Sequence, residues 1–347
     1  MSDKRIRFVA FRYGHHSPHS GYARLAEYGA KHYGGEVFRV GAPLSKRIIR
    51  ERMLWRLAKG TPGYDRASMS AELNVAWHML REPGYVYHFL YGETTYHYVG
   101  QLNNVKKNRL VASFHLPPAG IRQAVQIDWH IRQLSAVVCL GRNQQEFFAD
   151  FLDREKIFFV PLGVDTEYYT PPTLFETRNP DLCLFVGENY RDFPTLRGVI
   201  ELVAYRRPQT QFVAVTQRRN LDLIGPHPNL TLRSGIPESE FLELYRSAAL
   251  MIMPLRDAVA NNAVLESLAC GLPLVVTDVG ATRDYVTPEC AVLTQPYDAR
   301  GMAEAILTLL ENPAERQKMS EQARHQALEF SWLKVIRQLD SVYAAVA

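Results

Sequence analysis

Residues 249–286 read ALMIMPLRDAVANNAVLESLACGLPLVVTDVGATRDYV, one complete strand, loop, helix, turn and strand. Leu250–Leu255 is an apolar run holding a proline near its end, the composition of a strand buried on both faces of a parallel sheet. Asp257, Asn261 and Asn262 begin helices well, because their side-chain oxygens accept from the orphan N–H groups of a first turn. Val264, Leu265, Leu268 and Ala269 repeat at helical spacing, and Gly271 followed by Pro273 stops that helix. Leu274–Thr277 is a second apolar strand, with a turn at Gly280. In an open parallel sheet such a loop lies at the carboxyl ends of the strands, where ligands bind. The helix start at Asn261 and Asn262 offers N–H groups and the positive end of a dipole, which suits phosphate. Glu266 stands alone in the apolar helix. Facing solvent it is an ordinary surface residue; facing inward it accepts from two sugar hydroxyls.

The same alternation continues on both sides. Downstream, Ala291–Thr294 is a strand, and Asp298–Asn312, Ala314–Phe330 and Ser331–Ala347 are helices, the last strongly amphipathic. Upstream, Asp181–Val186 is a strand ending at Gly187, Thr195–Tyr205 a helix and Gln211–Thr216 a strand. The segment NLTLRSG then leads to a helix over Ile236–Ala248. Arg191 lies in the loop after Gly187, and Arg218, Arg219 and Arg256 follow other strand ends.

The first half opens on a strand within Arg5–Tyr13, a loop holding His15, His16, Ser17, His19, Ser20 and Gly21, and a helix ending at Gly34 and Gly35. Three histidines with no carboxylate or cysteine nearby do not make a metal site, and no metal is expected. Val37–Val40 and Tyr85–Leu90 are strands, Ser68–Leu80 is a helix, and Gly92, Glu93 and Thr94 form a loop at a strand's carboxyl end. Leu110–Leu116 is a strand stopped by Pro117 and Pro118, which places His115 at its carboxyl terminus. Ile121–Leu134 and Arg142–Leu152 read as helices around a strand at Ala136–Leu140. Residues 45–59, SKRIIRERMLWRLAK, are a basic amphipathic segment with a tryptophan. Two readings stay open for it, a surface helix packed on the sheet or a peripheral contact with an anionic membrane.

Composition narrows the class. The chain has 347 residues, 47% hydrophobic and 11% aromatic, enough for two cores. Residues 1–165 carry a net +9 and the remainder −5, summing to the +4 of the whole, so the first half is the one that meets anions. That charge is not interleaved with aromatics on a nucleic-acid module, and no nucleic-acid partner is expected. Cys139, Cys183, Cys270 and Cys290 are scattered singly in apolar context and read as reduced, buried thiols. The N-terminus is charged and strand-like rather than signal-like, and the expected location is cytoplasmic, at the inner membrane face if 45–59 docks there.

The 249–286 stretch resembles the donor-site signature of retaining glycosyltransferases of family 4, on the glycosyltransferase-B fold. Pro254, Glu266, Ala269, Gly271, Pro273, Thr277 and Gly280 fall in register with it. Ala258 stands where the first glutamate of the family's pair belongs, and Val259, Ala260 and Asn261 replace a Gly-Phe-Gly. KIFFVPLGVDTEYYTPP, residues 156–172, is similar to the segment that closes the family's first domain, with Leu162 in place of an asparagine. Ile236–Ala248 also matches, at Glu240, Leu242, Tyr245 and Ala248. In the loop after Gly187 the family carries an arginine and a lysine where this chain has Glu188 and Phe193.

The resemblance implies an α/β chain of two doubly wound Rossmann-like domains facing across a cleft. Residues 1–172 are then the acceptor-side domain, 173–330 the nucleotide-sugar domain, and 331–347 a helix crossing back to the first domain. The implied activity is retaining, metal-independent transfer of a hexose-like sugar from a nucleotide-diphosphate sugar, most simply UDP- or GDP-linked, to a hydroxyl acceptor. No cofactor is implied beyond that donor substrate. His115 is implied to contact the sugar and Glu266 the ribose diol; for the diphosphate the expected partner is Arg191, the cation left in the loop after Gly187, with Arg218, Arg219 and Arg256 as the other candidates. Ser20, Gly21, Gly187, Ser234, Gly235, Ile236, Asp257, Asn261 and Asn262 border the same donor. The rival reading is a non-catalytic sugar-nucleotide-binding subunit of the same fold, favoured by the substitutions at 188, 193 and 258.

Overall fold

A computed structural model describes residues 5–11, 18–40, 64–125 and 128–346. The basic segment 45–59 and the loop residues His15, His16 and Ser17 lie outside the described residues. The chain divides into two compact units, Met1–Leu162 with Trp332–Ala347, and Gly163–Ser331.

The first unit is built on six parallel strands, β1 (Arg5–Ala10), β2 (Glu36–Arg39), β3 (Tyr85–Phe89), β4 (Arg109–Phe114), β5 (Ala136–Cys139) and β6 (Ile157–Phe159). Their order in the sheet is β2-β1-β3-β4-β5-β6, so the winding reverses between β1 and β3. The strands are near-continuous apolar runs because helices cover both faces of such a sheet. Val111, Ala112, Val137, Val138 and Phe89 are fully buried. The helix Trp332–Val346 belongs to this unit; Tyr33 donates from its hydroxyl to the Ile336 carbonyl and to Oδ1 of Asp340, both at 2.9 Å.

Three local expectations change here. Gly92–Thr95 is a short helix, not a loop. β4 stops at Phe114 because the His115 N–H leaves the ladder to donate to Oε1 of Glu93, at 3.0 Å. The long helix expected over Ile121–Leu134 is a shorter one, Pro118–Ala124, and a separate 3-10 turn at Ile131–Gln133. Pro118 sits in the first turn, where a missing N–H costs nothing, so the helix starts ahead of its apolar pattern.

The second unit repeats the plan with β7 (Leu182–Val186), β8 (Gln211–Val215), β9 (Leu230–Arg233), β10 (Leu250–Met253), β11 (Leu274–Thr277) and β12 (Ala291–Thr294). The order is β12-β11-β10-β7-β8-β9, all parallel, reversing between β7 and β10. Helices Phe193–Arg206 and Ala299–Glu311 cover one face through Val199, Ile200, Val203, Met302 and Ile306. Among the described residues no helix is long and apolar enough to cross a membrane, and all four cysteines are buried free thiols.

Candidate functional site

The second unit's site starts where its winding reverses, since there the loops after two adjacent strands diverge and leave room at the strand ends. The loop after β7 runs from Gly187, whose φ is 103°. A side chain there would collide with the Arg191 guanidinium, so only glycine lets that group fold back under the strand end. Arg191 is buried. Its Nε donates to the Val186 carbonyl at 3.0 Å, Nη1 to the Asn189 carbonyl at 2.8 Å and Nη2 to Oδ1 of Asn261 at 3.2 Å. All three acceptors are neutral, and among the described residues Arg191 forms no ion pair. Burial pulls its pKa down to about 10.

Arg178 is a second buried arginine with its pKa also pulled down to about 10 and with its Nε unpartnered among the described residues, but it is placed differently. It donates to the carbonyls of Tyr245, Arg246, Ala248, Cys270 and Gly271, at 2.6 to 3.0 Å. Those are the carboxyl ends of the helices Glu238–Ser247 and Asn262–Ala269, where the partial charge is negative. Arg191 instead meets the amino end of Asn262–Ala269, where the partial charge is positive. Asn261 caps that helix, its Oδ1 accepting from the Ala263 N–H at 3.1 Å. A cation beside a positive dipole end and out of water, with Glu188 acting on it only through space, is an arrangement suited to an anion.

Glu266 lies in the body of that helix and is 8% exposed, which settles the choice left open in the sequence in favour of the inward position. Tyr245, fully buried, donates from its hydroxyl to Oε2 of Glu266 at 3.0 Å. Burial holds the Tyr245 hydroxyl well above the usual phenol range, so it stays a donor. Glu188, in the family's arginine position, accepts from Gln217 Nε2 at 2.7 Å and pairs with Arg219 at 2.8 Å. Ala258 is buried, and Asp257 bonds its backbone N–H at 2.8 Å. Ser234 and Gly235 are exposed and Ile236 half-buried, at the carboxyl end of β9. Asn262 is half-buried at the helix start.

In the first unit His115 follows β4. Its Nε2–H donates to the Leu90 carbonyl at 2.6 Å, and its ring stacks on Tyr91 at 4.4 Å and meets the edge of Tyr22 at 4.6 Å. Tyr22 shares a hydrogen bond with Ser113 Oγ, which shares another with Nε2 of His88; Nδ1 of His88 is paired with the Tyr343 hydroxyl. Burial depresses the His88 pKa to about 3. Ser20 and Gly21 precede the helix Ala23–Tyr33, with Gly21 at φ 89°. Tyr22, Tyr91, Glu93 and Tyr245 are neighbours of the candidate residues that the sequence does not single out as such; the signals present are the Gly-Glu pair directly after a strand end and the register of Tyr245 in the helix pattern over Ile236–Ala248. Among the described residues no three His, Cys, Asp or Glu side chains converge as a metal requires.

Residues 181–312 match the family model of glycosyl transferases group 1. This segment is similar to the glycosyl transferases of group 1. Among curated relatives, the MMP alpha-(1->4)-mannosyltransferase of Mycolicibacterium hassiacum is 29% identical over 218 residues, covering 58% of this chain and 51% of that protein. The D-inositol 3-phosphate glycosyltransferase of Corynebacterium efficiens is 26% identical over 239 residues, covering 59% and 56%. The chain thus spans about half the length of the curated relatives it matches. Among solved structures, HepE of Anabaena in complex with UDP and glucose superposes with a TM-score of 0.71 at 15% identity, covering 97% of this chain and 98% of that one. Sucrose-phosphate synthase of Thermosynechococcus elongatus gives 0.69 at 15% identity, with 98% of each chain covered. The two six-stranded units therefore have the glycosyltransferase-B fold, and the matched segment 181–312 contains every candidate donor residue of the second unit.

Proposed function

We propose that the protein transfers a sugar from a nucleoside-diphosphate sugar to an acceptor hydroxyl, with retention at the anomeric carbon. The observation that carries this is Arg191, a buried cation whose acceptors among the described residues are all neutral, set against a helix amino end where the winding reverses. On this reading Arg191 and the N–H groups of residues 260–262 hold the diphosphate and stabilise the charge that builds as it leaves. Glu266, steadied by Tyr245, accepts from the ribose hydroxyls. Gly187 admits the close approach, while Ser234, Gly235 and Ile236 border the base. In the transfer, the bond from the anomeric carbon to the diphosphate oxygen breaks and a bond to the acceptor oxygen forms on the same face. The acceptor proton passes to the departing phosphate oxygen, so neither a protein nucleophile nor a metal is required. His115 contacts the sugar, and Asp257, Asn261 or Asn262 takes the hydroxyls that Ala258 cannot.

The test is thermal unfolding of wild type and Glu266→Ala with millimolar UDP, GDP or ADP. UDP is the first to try, because HepE is named with it. A nucleotide at about a hundred times its dissociation constant adds roughly 2.7 kcal/mol, an unmistakable shift. Stabilisation by one nucleotide, lost in the variant, supports the donor site; no shift with any of them removes it. A second reading, a non-catalytic sugar-nucleotide-binding subunit, draws on Ala258 and on the Glu188–Arg219 pair, which ties up a nearby cation. Nucleotide binding without release of product from any nucleotide sugar would favour it.

A further inference from the structure

Among the described residues the first unit holds two buried carboxyl groups, Glu72 and Glu93, and only one of these two is satisfied. Glu72 accepts from the Tyr64 hydroxyl and from the backbone N–H groups of His97, Tyr98 and Val99. Glu93, 6% exposed, accepts the His115 N–H through Oε1, while its Oε2, equally buried, has no hydrogen-bond partner among the described residues. Native folds rarely leave a buried carboxyl oxygen unpartnered, and when they do the position calls for an explanation.

Its place in the fold supplies one. A side chain at Gly92 would come 2.8 Å from the Phe114 ring, so glycine is what lets the Gly92–Thr95 helix lie against β4. That packing sets Glu93 at the carboxyl edge of the sheet, beside the strand-end His115 whose ring rests on Tyr91 and Tyr22. These residues follow β1, β3 and β4, and the winding reverses between β1 and β3, the position at which open α/β sheets bind ligands. The orphan oxygen thus lies where the unit is built to meet a polar ligand.

We propose that Glu93 is a ligand-binding residue whose Oε2 hydrogen-bonds a hydroxyl of a sugar or polyol held at the carboxyl edge of the first sheet. This rests on the glycosyl-transfer reading above, and it adds a carboxyl group that the family signature does not include. The hydroxyl belongs either to the sugar being transferred or to the acceptor. Burial raises the Glu93 pKa to about 7, which lets the group accept or donate toward such a hydroxyl near neutrality.

The test compares wild type, Glu93→Gln and Glu93→Ala by calorimetry with UDP, UDP-glucose, GDP and GDP-mannose. Nucleotide release is also followed with glycerol, D-glucose or myo-inositol added as acceptors. Glu93→Gln keeps an oxygen for the His115 N–H, so it separates ligand binding from loop support. The expected result is unchanged affinity for the bare nucleotide with a sugar-dependent loss of about tenfold, the scale of one buried hydrogen bond to a hydroxyl. A loss confined to the nucleotide sugar assigns the hydroxyl to the donor; a loss confined to the acceptor's KM assigns it to the acceptor. If both variants match wild type in every sugar-dependent quantity, the proposal is overturned while the transfer reading stands. If wild type binds none of UDP, GDP and ADP, the transfer reading itself has failed and this proposal falls with it.

Discussion

Nη2 of Arg191 lies 3.2 Å from Oδ1 of Asn261, so one hydrogen bond joins the loop after β7 to the loop after β10 where the second sheet reverses. The same Asn261 oxygen caps the helix that carries Glu266. On the proposed reading, diphosphate and ribose recognition are thereby tied to one short piece of backbone.

Replacing Arg191 with methionine keeps most of the side-chain volume and removes the cation. Affinity for UDP or GDP should fall about a hundredfold, since charge-assisted hydrogen bonds to a desolvated anion are worth about 1.5–3 kcal/mol each. Stability should fall by only about 1–3 kcal/mol, from the Val186 and Asn189 carbonyls left without their donor. Calorimetric titration alongside chemical denaturation separates the two. An unchanged nucleotide affinity would remove Arg191 from the site.

Arg178→Met is the matched control. Five helix-end carbonyls lose their donor at once, so the cost should be about 3–5 kcal/mol, the scale of breaking a buried charged network. Nucleotide affinity of the fraction that remains folded should not change. Comparing urea midpoints of the two variants checks the contrast.

Gly187→Ala probes the same site through the backbone. At φ 103° an added methyl is strained, and it also collides with the Arg191 guanidinium. A cost of about 1–3 kcal/mol follows from the strain alone, and the displaced arginine should weaken nucleotide binding as well. A stability loss with full nucleotide affinity would show that the position of Arg191 does not matter to binding.

Much of this architecture is readable in the chain because strands of a parallel sheet are buried on both faces and so appear as short apolar runs. Leu250–Met253 and Leu274–Thr277 are plain examples. The inward position of Glu266 was a choice between two readings, because helical spacing alone does not say which side a single polar residue faces. The Arg191–Asn261 and Tyr245–Glu266 pairs are different in kind. Their members are separated by 70 and 21 residues, and only the crossover that sets β7 beside β10 brings the first pair together. Glu93 stayed unread because a glutamate after a strand looks the same in sequence whether it points to solvent or is buried. The helix expected over Ile121–Leu134 fails for a local reason: its apolar residues repeat suitably, but helix and 3-10 turn each bury an isoleucine from separate pieces.

Glu93 also sets a pH dependence of stability that runs opposite to most carboxylates. Its pKa is about 7 in the folded protein, against an unfolded value of 4.5. Between those values the folded state binds more protons than the unfolded state, so stability falls as pH rises through that window. The full difference is on the order of 3 kcal/mol, present below about pH 4.5 and absent above about pH 7. His88, buried neutral with its pKa near 3, acts in the other direction: its contribution is complete above the ordinary histidine pKa and is lost as pH falls toward 3. The two overlap between about pH 4.5 and 6.5, so the wild-type curve alone does not separate them. Glu93→Gln carries no titrating group at this position, and the difference between wild-type and variant denaturation free energies across pH 5 to 8 isolates the carboxyl. That difference should tilt against wild type as pH rises to about 7 and level off above it. A flat difference would mean that the Glu93 carboxyl already has a donor for both oxygens in solution.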